Sequence, residues 1–99
     1  MGKIVSMTKD PDENPLDFGC DWSKWLGPVD TIAQSTWTIA GPDASLAKDE
    51  GLGDSKTATV TMVWVTGGTL GRTYALTNQV TTAGGRRAEQ TIAIRIRPS

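Results

Sequence analysis

Lys56-Thr57-Ala58-Thr59-Val60-Thr61-Met62-Val63-Trp64-Val65 alternates along its whole length. Ala58, Val60, Met62 and Trp64 fall on one side, and Thr57, Thr59, Thr61, Val63 and Val65 on the other. A period of two in a run rich in β-branched residues predicts a strand over 56–65. Downstream, Gly67-Gly68-Thr69-Leu70-Gly71 supplies a turn, and Arg72 to Thr82 reads as a strand with Tyr74, Leu76 and Val80 on one side. Gly84-Gly85 marks a hairpin, and Gln90 to Arg97 places Ile92, Ile94 and Ile96 inward with Ala93, Arg95 and Arg97 outward.

The upstream half repeats the pattern less cleanly. Leu16, Phe18, Cys20 and Trp22 alternate with Asp17, Gly19 and Asp21, as in a strand buried on one face. Ser23-Lys24-Trp25-Leu26 breaks the alternation before Gly27-Pro28 stops it, which fits one helical or 3₁₀ turn capped by Asp21 or Ser23. Thr31 to Ala40 is the next strand, with Ile32, Trp37 and Ile39 as its heavy members. Residues 43–55 read mostly as loop, with a short strand at Ala44 to Ala47. Pro11 and Pro15 keep Asp10-Pro11-Asp12-Glu13-Asn14-Pro15 out of regular structure, and Lys3 to Met7 is a weak strand candidate.

No stretch of ten residues has a helical period, so the fold expected is all-β. Six or seven short strands separated by turn signals predict a β-sandwich. Leu70-Gly71-Arg72-Thr73-Tyr74-Ala75-Leu76 resembles the corner of immunoglobulin-like and fibronectin-like domains. There a tyrosine ring packs inside while its hydroxyl bonds backbone upstream. The organisation expected is an extended N-terminal arm over 1–15 and a single β-sandwich domain over 16–99.

Composition narrows the chemistry. The 99 residues contain no His and one Cys, so no intrachain disulfide or four-ligand zinc site is expected, and Cys20 reads as a packing residue. Residues 1–54 hold ten acids against Lys3, Lys9, Lys24 and Lys48, a balance of −6; residues 55–99 hold six bases against Glu89, a balance of +5. Such asymmetry either pairs within the fold or gives faces of opposite sign suited to contact with partners or copies. No run approaches the roughly 18 apolar residues of a membrane span, and no secretory signal follows Met1.

Three motifs resemble sites and fail on detail. Asp10-Pro11-Asp12-Glu13-Asn14 begins like a calcium loop but has Pro15 where Gly is required. Gly67 to Thr73 is glycine-rich but leads into a strand, not a helix, so nucleotide binding is not expected. Gly84-Gly85-Arg86-Arg87 with Arg95 and Arg97 forms a basic cluster about the last hairpin. It suits a carboxylate-bearing protein as well as a phosphate backbone. Asp17 and Asp21 could form a carboxylate pair, but four apart on a strand they point to one solvent face, and no enzyme is expected. Trp37 and Trp64 are expected in the core, Trp22 divides between core and surface, and Trp25 lies beyond the alternation at a candidate interface.

Lys9-Asp10-Pro11, Leu16-Asp17-Phe18, Asp21-Trp22-Ser23 with Trp25-Leu26-Gly27, Asp30-Thr31-Ile32 and Ser35-Thr36-Trp37 resemble the N-terminal signature of small phage and prophage structural proteins, the fiber–tail adaptors. Thr69-Leu70-Gly71, Thr73-Tyr74 and the hairpin from Thr81 to Ile96 resemble the same family's second half, so the likeness covers nearly the whole chain. Cys20 stands where relatives would carry a larger aliphatic residue, and the 43–55 loop is longer and more charged. The resemblance implies an immunoglobulin-like, non-enzymatic virion protein, made in the bacterial host cytoplasm, that joins tail or baseplate to fibres by protein–protein contacts. It also implies no cofactor, no membrane, other phage structural proteins as partners, and copies of itself as possible neighbours. Partner-binding residues expected are Asp10, Pro11, Asp12, Trp25, Arg86 and Arg87. Two other readings stand beside it: a carbohydrate-binding sandwich using Trp22 and Trp25 as a stacking platform, and a head–tail connection protein touching DNA through the arginine hairpin.

Overall fold

The computed structural model describes residues 2–98, with side chains from residue 6 onward. Its elements are β1 Gly2–Lys9, β2 Leu16–Asp21, α1 Ser23–Leu26, β3 Ile32–Ala40, β4 Ala47–Lys48, β5 Asp54–Lys56, β6 Val60–Thr66, β7 Thr73–Thr82 and β8 Arg87–Ile96. One sheet has the order β1-β8-β7-β3 and the other β2-β6-β4, with β5 also pairing β6. The two sheets pack as a sandwich. β1 runs parallel to β8, and all other pairs are antiparallel. Among the described residues no helix is long and apolar enough to cross a membrane.

Residues 2–9 differ from the expected arm. β1 lies in the larger sheet, in register with β8 from Gly2 opposite Glu89 to Lys9 opposite Ile96. Only 10–15 remains as connection, and it is a compact turn that enters β2 through a cis Asn14–Pro15 bond. The run 56–65 is also not one strand. Thr57 Oγ1 accepts the N–H groups of Thr59 (3.3 Å) and Val60 (3.0 Å), and Thr57 N–H bonds Val60 O (2.8 Å). A threonine hydroxyl that captures local donors makes a turn, so β5 folds back on β6. The short strand expected at 44–47 falls instead at Ala47–Lys48.

Which face of β6 is buried is decided by its neighbour. Phe18 and Cys20 of β2 are buried while Asp17 and Asp21 face water, because a carboxylate has no partner inside this core. Paired residues share a face, and the register sets Phe18 opposite Val63 and Asp17 opposite Trp64. Thr61, Val63 and Val65 are therefore fully buried, and Trp64 lies on the outer face with Met62 and Val60, contrary to its expected place in the core. Trp37 is half-buried, packed against the core from β3. Ile32 and Trp37 are an odd number of positions apart yet both turn inward; a bulge between Ile32 and Gln34 makes that possible.

Polar groups inside the sandwich are tied across it. Trp22 Nε1 donates to Thr61 Oγ1 (3.2 Å) and Asn78 Oδ1 (3.1 Å), Thr61 Oγ1 donates to Asn78 Oδ1 (2.6 Å), and Asn78 Nδ2 donates to Ser35 Oγ (2.9 Å) and Thr36 O (3.1 Å). This chain of bonds joins β6 of one sheet to β7 and β3 of the other. At the far end Lys9 is 1% exposed. Its Nζ donates to Gly67 O (2.8 Å), Asp10 O (3.0 Å) and Asn14 Oδ1 (3.0 Å), filling all three donor positions. Burial draws the ammonium below the ordinary lysine value, against the opposing pull of Glu13, Asp10 and Asp12.

Lys9→Met keeps the aliphatic stem and removes all three bonds. It is expected to cost about 1.5–3 kcal/mol, read as a lower urea midpoint at unchanged slope; a midpoint equal to wild type would deny Lys9 its structural role.

Candidate partner-binding site

The tryptophan end of the sandwich is built where the β2 alternation stops. Asp21 Oδ1 accepts the Ser23 N–H (2.9 Å), the α1 turn closes with Leu26 N–H on Trp22 O (2.9 Å), and Gly27 at φ 77° ends it. The turn carries Trp25 against the edge of Trp22, with centroids 5.6 Å apart and planes at 65°. The Arg86 guanidinium lies over the Trp25 ring, 4.5 Å from its centroid. Its Nε donates to Asp30 Oδ2 (3.0 Å), its Nη2 to Leu26 O (2.8 Å), and its Nη1 to Trp25 O (3.3 Å). An ion pair from Nη2 to Asp30 Oδ2 (3.0 Å) completes the tie.

Asp30 is the hub of this end. Its Oδ1 accepts the N–H groups of Gly84 and Thr31, both at 3.0 Å. A hydrogen bond from the Thr82 side chain, then those from Gly84, Arg86 and Thr31, hold its carboxyl at about 2 against the opposing effect of desolvation. Beside this knot Val29 stands 91% exposed on the loop to β3. It borders a cleft of about 560 Å³ with Leu26, Asp30, Ala83, Gly84 and Arg86.

Asp10, Pro11 and Asp12 lie at the other end, beyond the start of β2. Asp10 Oδ1 accepts the Asp12 N–H (2.8 Å), Glu13 Oε1 accepts the Asp10 N–H (2.8 Å), and Asn14 Nδ2 donates to Pro11 O (2.8 Å). Close by in sequence to Gly67, which meets Asn14 Oδ1 at 2.8 Å, a second knot forms around Tyr74. The Tyr74 ring is buried, and its hydroxyl accepts the Thr69 N–H (2.9 Å) and donates to Asp43 Oδ1 (2.7 Å). Asp43 also accepts from Ser45 Oγ (2.6 Å) and Thr69 Oγ1 (3.0 Å), and these donors hold its carboxyl well below the usual range. Gly41 is required here, since a Cβ at that position would run into the Tyr74 ring.

The expected site residues thus divide. Trp25 and Arg86 meet; Asp10, Pro11 and Asp12 form a group of their own about 20 Å away, the length of β2. Arg87 opens β8 opposite Thr81, exposed, while Arg95 and Arg97 lie at the opposite end of that strand. The basic cluster expected about the hairpin therefore does not assemble, and Arg86 is spent on Asp30 and two backbone carbonyls. Asp30 and Val29 escaped the sequence reading. The one signal for Val29 was an aliphatic residue isolated between Pro28 and Asp30.

A family model described as podophage GP4 fiber-tail adaptor protein gp77 matches residues 9–95. The chain belongs to this family of phage fiber-tail adaptors. The match supports a phage structural protein. A search among curated proteins found no match. The aromatic segment is mostly architectural: Phe18 and Trp22 are 4% and 5% exposed. Trp22 and Trp25 cross at 65° with one indole buried, so they do not form the coplanar exposed pair that a sugar-stacking platform requires. Burial pushes the Cys20 thiol up to about 11, which keeps it protonated and inert.

Both Asp30 and Asp43 titrate lower in the fold than in an unfolded chain, near 4. The folded state then binds fewer protons, so their contribution is complete above about pH 4 and is lost as pH falls toward 2. Equilibrium unfolding followed across this window should show stability falling with acid, and Asp30→Asn should flatten part of that fall. An Asp30→Asn variant with the wild-type pH slope would contradict the assignment.

Proposed function

We propose that this chain acts in the virion as an adaptor between tail or baseplate and fibres, without catalysis, by protein–protein contacts made at its two ends. The family match supports the adaptor role. The observation that carries the contact is Val29, an aliphatic side chain left 91% exposed beside a cleft whose walls are fixed by Arg86 and Asp30. An apolar anchor on a preorganised frame loses little entropy when it docks.

A connecting protein needs two separate surfaces. The sandwich measures 42 × 27 × 21 Å, and the Asp10-Pro11-Asp12 turn sits at the end away from Trp25 and Val29. The apolar end suits one phage protein and the acidic turn a basic patch on another. Within this reading the sandwich is immunoglobulin-like, supported by the Tyr74 hydroxyl on upstream backbone and by consecutive strands that switch sheets. Contact with DNA through the last hairpin is not favoured, because Arg86 is already engaged within the chain.

Val29→Asp should leave the unfolding free energy within about 0.5 kcal/mol of wild type, as surface changes do. In co-purification with tail and fibre subunits it should lose one partner, and Asp10→Lys with Asp12→Lys should lose the other. Retention of both partners by the combined variant would refute the two-ended contact, and virions unlabelled by gold-conjugated antibody to this chain would refute the structural role itself.

A further inference from the structure

The two broad faces of the sandwich differ in sign and in relief. On the smaller sheet Asp17 and Asp21 point outward from β2, and Met62 and Trp64 point outward from β6. Met62 has Gly19 and Ser55 as cross-strand neighbours, so no bulky side chain flanks it across the sheet. A Cβ on Gly19 would crowd Thr61 O and the Met62 side chain, which shows that Met62 leans over the glycine. Trp64 does not pack against the core cluster, unlike Trp25 and Trp37. The face therefore carries the half-buried Met62 and Trp64 with exposed carboxylates along one side.

The larger sheet has the converse surface. Ala93 stands between Ala75 and Ser6 in the register, and Thr91 and Thr77 beside them are joined hydroxyl to hydroxyl at 3.0 Å. This leaves a level floor of small side chains, half-buried along its β7 and β8 rows. Arg95 rises from its border, exposed, opposite Thr8 and Thr73.

We propose that the Trp64 face of one copy packs on the Arg95 face of a second copy. Met62 and Trp64 lie on the alanine and threonine floor, and one end of the Asp17–Asp21 row meets Arg95. Aligned sheets pack at about 10 Å in this way within sandwiches. A body of 42 × 27 × 21 Å offers faces broad enough for the roughly 800 Å² per partner of a standard interface. Because the two patches differ, the contact is head-to-tail and each copy keeps one patch free for the next. It uses neither the Val29 end nor the Asp10 turn, so it stands apart from the adaptor contacts.

The test is complementation followed by sedimentation velocity on the full chain. Wild type should associate with rising concentration, more weakly in high salt. Trp64→Ser and Arg95→Glu should each associate at least about tenfold more weakly alone. Mixed together they should form a heterodimer and stop there, because each supplies the patch the other lacks. Asp17→Lys with Asp21→Lys, which keeps the Arg95 face intact, should complement Arg95→Glu and should not complement Trp64→Ser, and near-ultraviolet circular dichroism checks that every variant folds. A wild type that stays monomeric, variants that still associate alone, or a mixture without heterodimer would each overturn the proposal. So would association abolished instead by Thr38→Pro, which would assign the contact to the free edge of β3.

Discussion

The indole N–H of Trp22 has to be satisfied inside the sandwich, and the arrangement that satisfies it holds the two sheets in place. Burying a tryptophan removes some 150–250 Å² from water, about 4–6 kcal/mol at most. An unmet N–H would cancel about 1–3 kcal/mol of that. Thr61 and Asn78 supply the acceptors, one from each sheet, and Asn78 is in turn held by Ser35 and Thr36 of β3. Since Trp22 sits where β2 gives way to α1, fixing its ring fixes the turn that follows. Trp25, then Arg86, then Asp30 take their positions from it.

The second constraint is parity. β2 alternates large apolar residues with Asp and Gly, and its carboxylates can face only water. Pairing carries that choice to β6, where it overrides the size of the side chains: two valines and a threonine go inside and a tryptophan goes out. Hydrophobic size alone would have chosen the other face of β6. The outcome shows that a strand's buried side belongs to the sheet, not to the strand.

Much of this was legible in the chain itself. The alternation at 16–22, 72–82 and 90–97 predicts strands that exist within a few residues, and the Tyr74 corner is made as its sequence suggests. The misses share a physical cause. Thr57 and the bulge after Ile32 alter the path through one hydroxyl and one extra residue, which a pattern of polarity does not register. Lys9 and Asn78 are polar residues on inward-facing positions, so their burial depends on partners far away in sequence: the Gly67 carbonyl for one, the Trp22 indole N–H for the other. Asn78 lies between Leu76 and Val80 on the inward row, and nothing in that pattern says what it would meet. The site was half legible. Trp25 and Arg86 were both singled out, but that they touch each other depends on the β7–β8 hairpin folding back over α1.

That contact changes what the two residues are for. An arginine stacked on a tryptophan and bonded to two carbonyls and a carboxylate has few donors left to offer a partner, and a ring under a guanidinium has one face covered. Their shared role is to hold the 27–31 loop rigid, and rigidity is what makes an exposed valine useful. A mobile loop would lose on docking the entropy that burying one aliphatic side chain returns, about 1–2 kcal/mol per fixed residue against 1.5–3 kcal/mol for the side chain. With the loop already fixed by Asp30, that loss has been met during folding. In the proposed adaptor contact, the most distinctive stretch of the sequence serves binding indirectly, by building the frame on which a less conspicuous residue stands.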